Sequence, residues 1–339
     1  MGLQSAFFIT SFTWLIAAAI FNPFGGILAY MGHYYIWPEK QWWGQMLESA
    51  GIRVSLTIAV VTASSIAVHW SSLRRKIVGR AFHSQELLFW SYIAVIGLAD
   101  VWGHAPDPIY QPSIHPLDKM VKVGIFAFML THVVTTRVEL DRYLWFMVIV
   151  GGFYLGYLAY TLPASHFVKG RLEGVGGPDF TDSNFAACHF AVMGIVATML
   201  LLKSRGWFAR VVCLAAGAFI ANGLILTRSR GAFLGVLAAG AVGVFLVDRS
   251  IRKHLIWVVP LVAIGGYSLT DGAFWERIVT TFVAPENLDA SAESRLEFWK
   301  ASVEIFGDNP LVVGLGRFYQ SIVYYCPEYA GRDAHSLFF

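Results

Sequence analysis

Charge is what this sequence lacks most. Asp, Glu, Lys and Arg supply 14% of its 339 residues and the hydrophobic set 56%, where an ordinary soluble domain carries about 25% charged residues. A chain so poor in charge reads as an integral membrane protein, its length spent on apolar spans of about 20 residues each. The net charge is only +3, so a nucleic-acid partner is not expected, and no run of like charges suggests a binding tail. Cysteine is nearly absent. Cys188 and Cys213 lie inside apolar runs as small hydrophobes, and Cys326 stands alone in a polar segment. No spacing points to a metal site or a disulfide framework. Internal repeats, low-complexity tracts and the glycine-rich fingerprints of nucleotide binding are also missing. The N-terminus has no basic segment and no small-residue cleavage site in the right place, which reads as a first span rather than a signal peptide.

Nine apolar segments are present, at roughly 5–21, 52–70, 86–102, 119–136, 142–162, 184–202, 207–226, 229–247 and 254–270. All are expected to be helices, because a helix satisfies its own backbone hydrogen bonds in lipid. Four short loops gather the basic residues: Arg74, Arg75, Lys76 and Arg80; Arg137 and Arg142; Lys203, Arg205 and Arg210; Arg249, Arg252 and Lys253. They alternate with the remaining loops, so one side collects them all, and positive-inside logic makes that side the cytoplasm. The opposite, outer side receives three long segments rich in Gly, Pro and aromatics, the tight "TRSR" turn, and everything after about 271. The expected organisation is a helical membrane domain over 1–270, an outer helical segment over 271–336, and the first residues of a further span at 337–339, truncated by the end of the chain. The tryptophans and tyrosines near 30–43 suit an interfacial belt.

Four motifs carry chemistry. "LTRSRGAFLG" puts Arg228 and Arg230 between two spans on the outer side, where positive-inside logic disfavours them. An anionic ligand compensates, since guanidinium binds phosphate bidentately and stays charged. Ser229 and Gly231 open the next helix, whose N–H groups attract anions as well. Snorkelling to lipid headgroups is the rival reading. "DASAESRLEFWKASVEIFGDNPLVVGLGRF" predicts a helix over about 292–306, capped by Asp289 or Ser291, with Arg295 and Trp299 on one face. An amphipathic helix lying on the membrane accounts for Trp299 without further function, and for Arg295 less well. Asn309-Pro310 stops that helix, "GLG" at 314–316 allows a close turn, and Arg317 follows.

"RDAHSLFF" sets His335 at the threshold of an apolar run, with a pKa suited to proton transfer at neutral pH. An idle interfacial histidine is its rival. "KGRLEGVGGPDFTDSN" brings Lys169 and Arg171, a glycine-rich bend, and Asp182 with Asn184 before the sixth span. Glycine-rich backbone beside two cations suits a phosphate or a sugar, and a flexible loop with a helix cap at Asp182 or Ser183 suits it equally. His104 and His115 share a loop with Asp107 and Asp118, but the spacing fits no metal-ligand pattern.

Taken in order, "SRGAFLG", "DASAESRLEFWKASVEIFGDNPLVVGLGRF" and "AHS" resemble the O-antigen ligase and polymerase-like superfamily of bacterial inner-membrane glycan transferases. "FNPFGG", "GGPDFTDSNFAA" and Ser336 in place of a commoner Asn are most similar to the O-glycosylation ligases associated with exosortase systems. The resemblance spans most of the chain and is strongest over 220–339. It implies an all-α polytopic membrane fold of the GT-C type. It implies a polyprenyl-pyrophosphate-linked glycan as donor, a protein or lipid acceptor, and transfer that needs no metal or other cofactor. By position, Arg230 and Arg295 match the arginines assigned to the pyrophosphate and His335 the histidine assigned to acceptor activation. Arg228 and Arg317 are secondary matches, and Lys169, Arg171 and Asp182 are candidates for glycan contact. Ser336 leaves an amide role at that position without a carrier. The family continues past its histidine, hence the reading of a truncated chain.

Two rivals stand beside ligation. A polymerase of the same superfamily extends the glycan instead, and the acceptor distinguishes it. A transporter for lipid-linked glycan predicts ionisable residues deep within spans and paired broken helices, whereas here the charges gather at span ends and no halves repeat.

Overall fold

A computed structural model describes residues 3–41, 44, 49, 51–77, 82–103, 116–248, 252, 270, 272, 275, 290–309, 314 and 317–329. The ninth apolar segment, the loop with His104 and His115, and His335 lie outside the described residues. The described part is almost wholly helical, as a membrane-spanning chain requires. Among the described residues, four helical stretches are long and apolar enough to cross a membrane: Val54–Leu73, Arg137–Thr161, Ser183–Lys203 and Trp207–Thr227. Two shorter apolar helices, Ile9–Phe21 and Arg230–Leu246, accompany them. Val192, Met199, Leu202, Val211 and Leu214 are all exposed, a surface suited to lipid rather than water. The protein is an all-α polytopic membrane protein.

The chain forms two compact units, each drawn from two separate segments: 1–73 with 133–279, and 74–132 with 280–339. The first unit begins with α1 (Leu3–Phe21) and α2 (Pro23–Ile36). α2 was not expected, since its residues fall in a stretch read as an outer loop. Its ends explain it. Asn22 accepts a hydrogen bond from the Phe24 N–H, and Pro23 occupies the first turn, where a missing N–H costs nothing. Trp37 ends the helix in the left-handed region (φ 45°) and Pro38 prevents its continuation. α2 packs on α1 and on α3 (Val54–Ile77), where a Cβ at Gly26 would lie 2.2 Å from the Thr62 hydroxyl oxygen.

The fifth expected span is not one regular helix. α6 (Arg137–Phe146) starts from a capping box between Thr136 and Glu139, an arrangement worth about 1 kcal/mol. It widens into a π segment over Met147–Tyr154 and resumes as α7 (Leu155–Thr161). Glycines permit the contacts along it: a Cβ at Gly151 would meet the Tyr35 ring at 2.8 Å, and one at Gly156 the Phe219 carbonyl at 2.6 Å. α8 (Ser183–Lys203), α9 (Trp207–Thr227) and α10 (Arg230–Leu246) follow. α8 packs closely on α9, and both pack on the π segment, burying Phe190, Ala187, Ala216, Ile220 and Val148. Lys203 pairs with Asp141 at the C-terminal end of α8.

The second unit holds α4 (Phe82–Trp102), most of α5 (Pro116–Val133) and α11 (Ala290–Asp308). α4 and α5 meet where Gly124 faces Ile93 and Trp90, and Thr131 donates to Glu86 at 3.1 Å. The helix expected over 292–306 is α11, longer by two residues at each end. Phe298, Ala301, Ser302 and Ile305 recur at helical spacing on its buried face, and Ile322 packs against Phe298 and Ala301.

Candidate functional site

In the first unit the two arginine motifs meet. Residues 167–172 form a minimal hairpin, β1 (Phe167–Val168) with β2 (Arg171–Leu172), joined by Lys169 and Gly170. Both joining residues have positive φ, 49° and 73°, as a two-residue turn matched to strand twist demands. Gly170 also makes room, since a Cβ there would stand 2.7 Å from the Arg228 guanidinium. The turn leaves the Lys169 side chain exposed and aims Arg171 inward.

Arg171 is bound on two sides. Its Nε–H donates to the Thr227 carbonyl at 3.1 Å and its Nη2 to the Asn184 side-chain oxygen at 2.7 Å. Thr227 is fully buried in the last turn of α9, where helix carbonyls lack internal partners and a cation is favoured. Asn184 sits in the first turn of α8. Asp182 caps that helix, accepting from the Asn184 N–H at 2.7 Å. One of the two readings of Asp182, a helix cap, is therefore what the structure displays, and its carboxylate is engaged with backbone.

The TRSR turn is equally specific. Arg228 adopts the left-handed conformation (φ 48°, ψ 39°) and its N–H bonds the Ile225 carbonyl, ending α9. Such a φ is costly for a residue with a Cβ and persists where surroundings enforce it. Ser229, 7% exposed, occupies the N-cap of α10 but forms no cap bond, and its hydroxyl donates to Asn184 at 3.1 Å. Arg230 is the first residue of α10 and is half-buried. Four cationic side chains, Lys169, Arg171, Arg228 and Arg230, thus belong to segments linked at one end of the α8–α10 bundle. The basic residues Lys203, Arg205 and Arg210 mark its other end.

In the second unit Arg295 lies in the second turn of α11. Trp299, one turn on, is 39% exposed, so the helix carries an aromatic at the rim of its buried face. Arg317 follows a close backbone turn, as the glycines imply: Gly314 has φ 114°. Its Nη1 donates to the Gly103 carbonyl at 3.2 Å. A Cβ at Gly103 would lie 2.2 Å from the Gly314 Cα, so two backbones touch there. Beyond α11, Tyr325 donates to Asp308 at 2.6 Å, and that bond with burial and nearby carboxylates raises the phenol above its ordinary range. Among the described residues no three His, Cys, Asp or Glu side chains are grouped to hold a metal ion.

Sequence reasoning placed Asn184 and Ser229 at span ends within these motifs but gave neither side chain a role of its own. A polar residue in the first turn of an apolar helix is the one sign available for Asn184, and capping explains most such residues.

Residues 215–338 match the family model described as O-antigen ligase. That stretch is similar to the O-antigen ligase family. The match takes in Arg228, Arg230, Arg295, Arg317 and His335, and it supports the O-antigen ligase and polymerase-like superfamily read from the motifs. A glycosyl-transferring activity of the ligase or polymerase type, with a lipid-linked donor and an acceptor in a membrane, is the general function this match supports. Comparison with curated proteins and with solved structures returns no match.

Proposed function

We propose that the protein is an inner-membrane glycan ligase. It transfers an oligo- or polysaccharide from a polyprenyl-pyrophosphate carrier to an acceptor hydroxyl, on protein or lipid, at the periplasmic face. The observation that carries this reading is the linked arginine cluster at one end of the α8–α10 bundle, inside and beside the stretch similar to the O-antigen ligase family. In the reaction, the acceptor oxygen attacks the anomeric carbon. The bond from that carbon to the pyrophosphate oxygen breaks, and the pyrophosphate leaves with the electron pair. His335 takes the acceptor proton. Arg230 and Arg295 stabilise the charge that develops on the leaving group, with Arg228 and Arg317 in support. Fixed guanidinium charge performs this role without a metal ion or other cofactor. The donor already stores the energy of the transfer, so no nucleotide is needed.

Lys169, exposed at the hairpin tip, is the candidate glycan contact of its loop. Arg171 and Asp182 are assigned a framework role, because their polar atoms are bonded to the ends of α9 and α8. The proposal is tested with the purified protein in proteoliposomes, a polyprenyl-pyrophosphate oligosaccharide, and protein, lipid and glycan acceptors. Arg230→Ala, Arg295→Ala and His335→Ala should each lower transfer by about 10²–10³-fold. Wild-type transfer by all three removes the site assignment. Extension of the glycan itself, with no transfer to protein or lipid, identifies a polymerase instead.

A further inference from the structure

We propose that Asn184 is a positioning residue: its side-chain oxygen fixes the turn between α9 and α10 and so sets where Arg230 begins. The oxygen accepts from Arg171 and from Ser229, at 2.7 and 3.1 Å. Both partners donate to it, which determines the orientation of the amide. The two bonds use both lone pairs of a carbonyl oxygen. Through Arg171, which also donates to the Thr227 carbonyl, the contact reaches the last turn of α9. Through Ser229 it reaches the N-cap of α10.

The behaviour of Ser229 is the sharpest sign. A serine in an N-cap ordinarily accepts from the first-turn N–H groups. Here it stands in the right place with extended backbone (φ −88°, ψ 111°), yet makes no cap bond and gives its proton to Asn184. Arg228, between the two anchored residues, is held at positive φ without being glycine or asparagine. Anchors on either side account for that conformation. Asn184 itself is placed by a group outside the network, the Asp182 cap on its N–H. A single oxygen therefore joins the hairpin, the end of α9 and the start of α10.

The consequence for anion binding rests on the reading of Arg230 given above, whereas the positioning does not, and the experiment separates them. Amide exchange is followed in the full-length protein in detergent, for peptides covering the turn at 224–234 and, as control, α6. Inorganic pyrophosphate is titrated calorimetrically into the same samples. Asn184→Ala should speed exchange in the turn about ten-fold, leave α6 unchanged, and weaken pyrophosphate binding about ten-fold. Ser229→Ala should speed exchange in the turn as well. Asn184→Asp keeps two acceptors and should restore wild-type protection. It should still weaken pyrophosphate binding, because it adds a negative charge beside the arginines. A purely structural role moves protection and affinity together. Wild-type exchange in both Asn184→Ala and Ser229→Ala overturns the proposal. If Asn184→Ala does not fold, slow exchange in Ser229→Ala or fast exchange in Asn184→Asp overturns it equally. Absence of pyrophosphate binding by the wild type counts against the Arg230 reading, and the exchange data still decide the role of Asn184.

Discussion

Arg171 and Arg317 each tie a loop down by donating to a backbone carbonyl, yet their seats are built in opposite ways. The seat of Arg171 is made by side chains. Asn184 and Ser229 come from two different helices, and the Thr227 carbonyl is reached from a hairpin. The seat of Arg317 is made by backbone. Gly103 lies so close to the Gly314 backbone that it tolerates no Cβ, and the arginine donates to the Gly103 carbonyl. A side-chain network loses its bonds one at a time. A backbone contact is lost whole, as soon as one atom is added.

The largest expected effect follows from that difference. A Cβ at Gly103 meets the Gly314 Cα at 2.2 Å and the Ala99 carbonyl at 2.9 Å, and neither neighbour is a flexible side-chain tip. Gly103→Val should cost about 3 kcal/mol locally. It should raise hydrogen exchange over 317–329, while the 224–234 turn of the first unit keeps its protection. Unchanged exchange over 317–329 would mean that the two backbones are not bound to each other. The matching control is Gly235→Ala in α10, where a Cβ meets nothing within 4 Å. That change should be neutral or stabilise by about 0.5–1 kcal/mol, read from a thermal melt.

In the side-chain seat the expected loss is smaller. Arg171→Lys retains the charge, but an ammonium lacks the planar fork that reaches the Thr227 carbonyl and Asn184 together. About 1 kcal/mol should be lost, on the scale of one hydrogen bond, measured as a shift in the denaturant midpoint. A Lys variant as stable as wild type would reduce Arg171 to a point charge.

These contrasts also mark what the sequence could show. The helix expected over 292–306, the tight TRSR turn and the close turn at Gly314 were legible because each rests on local chemistry: periodicity, a short turn between spans, glycine. The all-α membrane fold was legible from composition. The pairing of Arg171 with Asn184 was not, because partners 13 residues apart across an irregular loop leave no periodic trace. Neither was the contact of Gly103 with Gly314, whose partners lie 211 positions apart in the chain. α2 was missed because its glycines, tyrosines and histidine weaken the apolar pattern, and its helix is fixed at the ends by Asn22 and Pro38. The π segment was missed because its sequence is as apolar as the regular helix on either side.

The smallest expected effect concerns pH, and it divides the two units by sign. In the first unit His33 and Glu39 lie 2.6 Å apart. Burial alone would raise the Glu39 carboxyl, but the hydrogen bond and the charge of His33 outweigh it and hold the group below its ordinary range. A depressed carboxyl stabilises the fold above the unfolded carboxyl pKa, about 4.3. That stability is lost as pH falls through the folded value. In the second unit Tyr325 is shifted upward, first by its hydrogen bond to Asp308. A raised phenol stabilises the fold below the unfolded pKa, about 10, and loses that contribution as pH rises through the folded value. Glu39→Gln should therefore flatten only the acid limb of stability against pH, and Tyr325→Phe only the alkaline limb. Exchange measured separately over 23–36 and 318–329 assigns each limb to its unit. If Tyr325→Phe flattened the acid limb instead, the bond to Asp308 would be acting through the carboxylate rather than the phenol. The contrast between the units would then rest on the Gly103 and Arg171 variants.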